Sequence, residues 1–332
     1  MTPERMRAVV LRETGGPEVL RIEEVAIPRP GPGEVLVRVA AFGLNNAEVL
    51  QRGGAVPAPP GGIPGLECAG TVAETGAGVG PHWKPGATVA ALLRGGGYAE
   101  YVCVPAGACM RMPAGLDLAT AGAVPEAAAT AWWNLVQRGR LRAGEQLLVH
   151  GAAGGVGSLA VQMGRLLGAE VIATARGEEK TRLCAELGSS QVIDYGRDDV
   201  FAAVRSIAPD GVDVILDNQG GPALADNVAA LAPLGRLVVV GTQAGTTAEL
   251  DLGTLMAGGV EISSSSLGRL DDGLRGRLCQ DVEREVLPRI AAGALRPVLD
   301  KRFPFDEISA AHQWFSDPGR IGKVVVTVTD GI

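Results

Sequence analysis

The segment Gly151-Ala152-Ala153-Gly154-Gly155-Val156-Gly157 constrains the fold more than any other part of the chain. It lies between an apolar run at residues 146–150 and a stretch at 158–167 whose apolar residues recur at helical spacing. A strand that passes through a tight glycine turn directly into a helix is the opening βα step of a dinucleotide-binding fold. Gly151, Gly154 and Gly157 stand at its three spaced positions. They permit the turn, the approach of backbone to a pyrophosphate, and close helix–strand packing. The N–H groups at the helix start, with the helix dipole, attract the phosphate charge. A P-loop is excluded, because Gly157 is followed by Ser158 rather than by Lys-Ser/Thr.

The type of dinucleotide is read at the end of the next strand. An NAD site places Asp or Glu there to accept from the ribose 2′-hydroxyl. Here the strand at 171–175 ends in Arg176, with Lys180 one helical turn later. Glu178 and Glu179 fall past the strand end, where a helix start accounts for them. Two cations suit an additional 2′-phosphate through charge-assisted hydrogen bonds, so NADPH is the expected cofactor. The alternative is that Arg176 and Lys180 are ordinary solvated charges.

The rest of the chain supplies the context. Strands are expected at 146–150, 171–175, 191–193, 212–216, 236–240 and 260–264, with helices at 127–136, 158–167 and 178–187. Such alternation favours a parallel sheet covered on both faces. The first hundred residues differ: short strands at 6–11, 35–39 and 99–104 are separated by Gly/Pro turns, which points to a barrel-like antiparallel unit. After residue 267 come a helical segment near 281–292 and a strand at 323–328, free to join either unit.

Composition excludes several classes. With 46% apolar residues the chain is not disordered. Its net charge of -7, only four lysines and no basic run argue against nucleic acid or an anionic membrane as partner. No apolar stretch approaches the ~20 residues of a membrane helix, and the first residues lack a signal-peptide core. A cytoplasmic protein is the expectation. Five cysteines, an odd number without a C-x-x-C pair, indicate neither a disulfide framework nor a zinc knuckle.

Five segments, RAVVLRETGGPEVL, GEVLVRVAAFGLNNAE, GGYAEYV, GEQLLVHGAAGGVGSLAVQ and IGKVVV, together resemble the medium-chain dehydrogenase/reductase superfamily, in its zinc-free quinone oxidoreductase (zeta-crystallin-like) branch. The resemblance implies an α/β chain of two domains. A GroES-like β-rich catalytic domain at 1–124 is completed by 267–332, and a Rossmann doubly wound parallel-sheet domain occupies 125–266. It also implies cofactor and substrate held in an interdomain cleft, and a homodimer formed through the Rossmann domains. Zinc-dependent members carry a catalytic Cys after a Gly-x pair and a Gly-His-Glu motif. Here Asn45 follows Gly43-Leu44, and Leu66 stands at the His position of Gly65-Leu66-Glu67. An amide and an isobutyl group are not the N and S ligands zinc needs, so no metal is expected.

By the same resemblance, Asn45 and Glu48 are candidate catalytic residues, with helix capping as the alternative. Thr130, Gly155, Val156, Tyr195, Gly241, Thr242 and Lys323 are implied cofactor contacts beside the three spaced glycines, Arg176 and Lys180. Leu50 and Val56 replace two pocket tyrosines of many relatives, which implies a more apolar substrate pocket. None of His82, His150 and His312 is an evident acid, so protonation from solvent is expected. Without a Lewis acid, hydride delivery to a small apolar conjugated acceptor is favoured over simple ketone reduction. A quinone is the first expectation. An activated alkene, such as an enone or an enoyl or acryloyl thioester, is the second, and a non-catalytic, crystallin-like NADPH-binding role is a remote third.

Overall fold

The computed structural model describes residues 3–328. Contacts divide the chain into two units, one running to Ala129 and resuming at Gly268, the other spanning Thr130–Leu267. In the first unit β1 (Arg5–Leu11) and β2 (Leu20–Ala26) form an antiparallel pair, with Val9 opposite Ile22. The larger sheet is built from β3 (Glu34–Gly43), β4 (Glu67–Thr75), β5 (Thr88–Leu92), β6 (Tyr101–Pro105) and β7 (Cys109–Arg111). The sequence EVLVRVAAFG of β3 is buried along nearly its whole length, with only Arg38 exposed. A continuous apolar run of this kind marks a strand covered on both faces.

The second unit holds a six-stranded parallel sheet of β8 (Gln146–Val149), β9 (Glu170–Ala175), β10 (Gln191–Asp194), β11 (Val212–Asp217), β12 (Leu231–Val239) and β13 (Glu261–Ser264). Their spatial order, β10-β9-β8-β11-β12-β13, is the doubly wound arrangement. Leu148, Ile172, Ile193, Ile215 and Leu237, one from each of five neighbouring strands, form the middle of its core. The GroES-like and Rossmann architectures are thus both present.

The chain then returns to the first unit through β14 (Leu299–Pro304) and β15 (Lys323–Thr327). β15 pairs antiparallel with β3, placing Val325 opposite Gly43, and parallel with β14. This settles where the terminal strand belongs: Val324, Val325 and Val326 are wholly buried against the first unit's sheet.

Several elements differ from the sequence expectations. β4 and β5 were not anticipated, because ECAGTVAET and TVAAL are rich in small residues and carry no clear alternation. The helix expected at 127–136 runs as α-helix over Pro125–Trp132 and then widens to a π-helix over Trp133–Arg138. The helix expected from 281 starts earlier, at Asp272, where Asp271 caps it by accepting from the Leu274 N–H at 2.8 Å. No helix among the described residues is long and apolar enough to cross a membrane.

The turn after β8 fixes the entry of the helix Gly155–Leu166. Gly151 has φ +61, a left-handed conformation that side chains resist. At Gly157 a Cβ atom would fall 2.4 Å from the Gly151 carbonyl oxygen and 2.8 Å from Ala152 Cα. Backbone on both sides leaves no room to yield. Gly157→Ala is therefore expected to lower stability by roughly 1–3 kcal/mol through overpacking. Thermal unfolding of the variant checks this, and an unchanged Tm would contradict the packing read here.

Candidate functional site

In the Rossmann unit the residues expected at a dinucleotide gather at the carboxyl ends of the strands. Gly154 is the N-cap of the helix Gly155–Leu166 and brings no side chain to cap it, so the first-turn N–H groups, including those of Gly155 and Val156, face outward from the turn. Beside this turn lies Asn218, which sequence reasoning missed. A Cβ on Gly151 would stand 2.2 Å from Asn218 Nδ2, and one on Gly241 would stand 3.2 Å from the Asn218 carbonyl oxygen. Thr242 packs on the same loop, 2.8 Å from the position a Gly220 Cβ would take. The overlooked signal was the polar run Asp217-Asn218-Gln219 at the end of a buried strand.

One strand further along, Arg176 and Tyr195 share a corner, and Lys180 lies in the first turn of the helix Glu178–Glu186 that follows. Tyr195 N–H donates to the Ala175 carbonyl at 3.0 Å, which sets Tyr195 beside Arg176. Tyr195 is half exposed and Arg176 is exposed. Asp194 organises the backbone around them: its Oδ1 accepts from the N–H groups of Gly177 and Gly196, both at 2.9 Å. Those two bonds hold its carboxyl below the usual range. Thr130 lies on the helix Pro125–Trp132, where its carbonyl accepts from Asn134 Nδ2 at 2.7 Å.

In the GroES-like unit the candidate catalytic residues fall into a buried polar cluster. Asn45 is the N-cap of the helix Asn46–Arg52. Glu48, 1% exposed, accepts from the Asn45 N–H and the Leu66 N–H, each at 3.0 Å. Glu48 thus does the capping work that the sequence left as an alternative, and it ties that helix to the strand β4. The centre of the cluster is Glu67, fully buried. One carboxylate oxygen accepts from Lys323 Nζ at 2.6 Å and Asn45 Nδ2 at 3.0 Å, and the other from the Glu126 N–H at 2.9 Å. Only glycine fits at position 43, since a Cβ there would lie 2.3 Å from that carboxylate.

Lys323 enters the same cluster. The residue is 5% exposed, and its ammonium donates to the Leu44 carbonyl at 2.7 Å, to Asn45 Oδ1 and to Glu67. Those are three acceptors for three protons. Glu67 and Glu126 were not singled out from the sequence. No spacing links residue 67 to 126 or 323, and the only local hint was the acidic end of Gly65-Leu66-Glu67.

Of the two pocket candidates, Val56 helps line a cavity of about 230 Å³ with Leu11, Gln51, Pro57 and Ala58, and Leu50 is an exposed side chain outside that lining. Neither interior histidine is an acid near neutral pH. Burial pushes His312 down to about 3, and His150 is lowered as well while it bonds Asn227 and Thr174.

Comparison with known proteins agrees with this architecture. Residues 31–114 match the family described as alcohol dehydrogenase GroES-like domain, and residues 155–289 match the one described as zinc-binding dehydrogenase. A quinone oxidoreductase of Pseudomonas aeruginosa is 34% identical over 94% of this chain and 96% of its own. A 2-haloacrylate reductase from Burkholderia is 32% identical over 96% and 98%. The Escherichia coli quinone oxidoreductase solved with NADPH superposes with a TM-score of 0.87 at 26% identity, covering 98% of this chain and 99% of that one. The zinc in the second family's description does not fit here. The Asn45–Glu67 corner carries the Lys323 ammonium on the oxygens a cation would need, and Leu66 offers no donor atom.

The cluster makes stability depend on pH. Burial pushes Glu126 up to about 8, with Glu67 and Glu48 adding to the rise and Lys323 and Arg275 opposing it. Burial likewise pushes Glu48 up to about 7, against Lys323 and its backbone bonds. Between the ordinary carboxyl value of 4.5 and these raised ones, the folded chain keeps protons that the unfolded chain has released. Stability is therefore greatest below that window and falls as pH rises through it. The Tm should decline from about pH 5 to about pH 8.5, and Glu126→Gln should flatten the decline, gaining about 2–4 °C at the upper end for each kcal/mol restored. Parallel melts of the two proteins would expose a wrong assignment as identical slopes.

Proposed function

We propose that this chain, which belongs to the medium-chain dehydrogenase/reductase superfamily in its quinone oxidoreductase branch, is a reductase that uses NADPH and acts on quinones. That it is an oxidoreductase follows from the family. The observation that carries the finer reading is the cationic corner of Arg176 and Lys180 at the end of β9, where an NAD site would hold a carboxylate. The NADPH bound to the Escherichia coli relative supports the same choice.

Each unit contributes separately. In the Rossmann unit the glycine turn and helix start hold the pyrophosphate, Arg176 and Lys180 take the 2′-phosphate, and Tyr195 flanks the adenosine end. Thr130, Asn218, Gly241 and Thr242 serve the nicotinamide end. When bound, NADPH supplies a hydride, leaving NADP⁺, and the acceptor's negative charge is completed by a proton from solvent. In the GroES-like unit Asn45 is, with Glu126, a half-buried member of the cluster, and its amide donates to the oxygen on which that charge develops. A quinone spreads the charge by itself, so no metal is required. Val56 lines its hollow together with Leu11, Pro57 and Ala58 and also with the polar Arg12, Glu13, Thr14 and Gln51, so it offers an acceptor both apolar and polar contacts.

The 2-haloacrylate reductase among the relatives favours a second reading, reduction of activated carbon–carbon double bonds by the same hydride step. A homodimer is also proposed, through the Rossmann edge strand β13. Ile262 on that strand and Leu252 and Met256 on the helix Leu252–Gly258 beside it are exposed apolar side chains.

Three experiments test these readings. A panel of small quinones and enones, followed by loss of NADPH absorbance, should show turnover of quinones; activity confined to enones would transfer the assignment to the second reading. Arg176→Ala should raise KM for NADPH about tenfold or more while leaving NADH within about twofold. Equal losses for the two cofactors would remove the 2′-phosphate role. Exhaustive chelation should leave kcat unchanged.

A further inference from the structure

A side-chain amide in a polar cluster has two orientations, and which one holds decides what it offers to a ligand. Around Asn45 only one is possible. Lys323 Nζ is a pure donor and meets one end of the amide; the Glu67 carboxylate is a pure acceptor and meets the other. Oδ1 must face the ammonium and Nδ2 must face the carboxylate. Flipping the amide would set N–H against ammonium and oxygen against carboxylate.

This arrangement leaves one proton in reserve. Asn45 Nδ2 has two, of which one is donated to Glu67 at 3.0 Å. The second is directed to Glu48 Oε1 in a long hydrogen bond of 3.5 Å, weak enough to yield to an anionic acceptor, since that carboxylate already accepts from two backbone N–H groups. The ammonium on Oδ1 and the carboxylate on Nδ2 polarise the amide in opposite senses, so what the two charges fix between them is the direction of the remaining N–H. Lys323, Glu67 and Glu48 are all buried, whereas Asn45, like Glu126, is only half-buried.

We propose that the Lys323–Glu67 pair is the positioning device of the enzyme, locking the Asn45 carboxamide so that its second Nδ2 proton meets the oxyanion forming on the acceptor. This rests on the reductase reading above. The pair gains and loses neither proton nor electron. It works through Asn45, and it fills with a resident ammonium the corner where zinc-dependent relatives hold a metal. Lys323 is then a positioning residue and not a contact of the cofactor.

The test compares three variants with wild type for kcat, NADPH Kd and Tm. Lys323→Met alone would strand a buried carboxylate, so the neutral pair K323M/E67Q is used. The carboxamide that replaces the Glu67 carboxylate can present either of its own ends and no longer dictates the orientation of Asn45. The double variant should keep its Tm within a few degrees and its NADPH Kd within about twofold, while kcat falls about tenfold or more. Asn45→Ala should lose at least as much, and N45A/K323M/E67Q no more than N45A alone, because the pair acts through that amide. A kcat within about twofold of wild type in the pair variant would overturn the proposal. So would losses that multiply in the triple variant, or a tenfold weaker Kd for NADPH with kcat retained, which would make Lys323 a cofactor contact. Absence of wild-type turnover on every quinone and enone would instead remove the reductase reading, and this positioning role with it.

Discussion

The GroES-like unit is organised around one contact, the 2.6 Å ion pair between Lys323 and Glu67. It joins residues 256 positions apart and pins the final strand to the start of β4. Glu67 also holds the first turn of the helix Pro125–Trp132 through the Glu126 N–H, and the loop at Asn45 through its amide. Three segments remote in sequence thus meet on one carboxylate. Buried ion pairs are poor sources of net stability, because two desolvated charges offset most of their attraction. Removing one partner is different, since it leaves the other charge alone in the interior. Such a pair specifies geometry more than it stabilises, which suits a site whose task is to hold one amide in one orientation.

The Rossmann unit solves its problem by other means. Its glycine turn uses backbone alone, so it recognises the part all dinucleotides share and cannot distinguish among them. In the reading proposed above, discrimination rests on side chains at the neighbouring strand ends, whose spacing has to be fixed. Asp194 supplies that restraint by gathering the Gly177 and Gly196 N–H groups, so that Arg176 and Tyr195 leave their strands at a fixed spacing. The same carboxylate also pairs with Arg197 at 3.4 Å, through its other oxygen.

These two designs explain what the sequence disclosed. The Rossmann site is local: strand, turn and helix follow one another within some twenty residues, and hydrophobic periodicity reveals them directly. Arg176 and Lys180 are found by counting from the turn. The GroES-like cluster is assembled from positions 45, 48, 67, 126 and 323, and its logic lies in contacts that no spacing encodes. Lys323 shows the difficulty. A lysine at the head of a Val-rich strand reads as a solvated edge residue or a phosphate ligand, and its burial makes sense only once its three acceptors are known. β4 and β5 were hidden for a related reason, since alanines and glycines pack closely between strands without leaving an alternating pattern. Asn218 escaped because its importance depends on Gly151, at the end of the adjacent strand β8 but 67 positions earlier in the sequence.

The same cluster bears on how a metal-free site sustains hydride chemistry. A metal ion stabilises a localised alkoxide with a full charge at bonding distance. An ammonium whose protons are all engaged has no such reach, and it acts beyond the cluster only through the amide it holds in one orientation. One hydrogen bond of that kind stabilises an anion already dispersed over a conjugated system far better, relative to need, than one confined to a single oxygen. Asn45 and Leu66, which stand where zinc-dependent relatives carry ligands, and the inward-turned Lys323 meet in one corner around Glu48 and Glu67. In the reductase reading proposed above, a conjugated acceptor needs from that corner no more than one donor held in place.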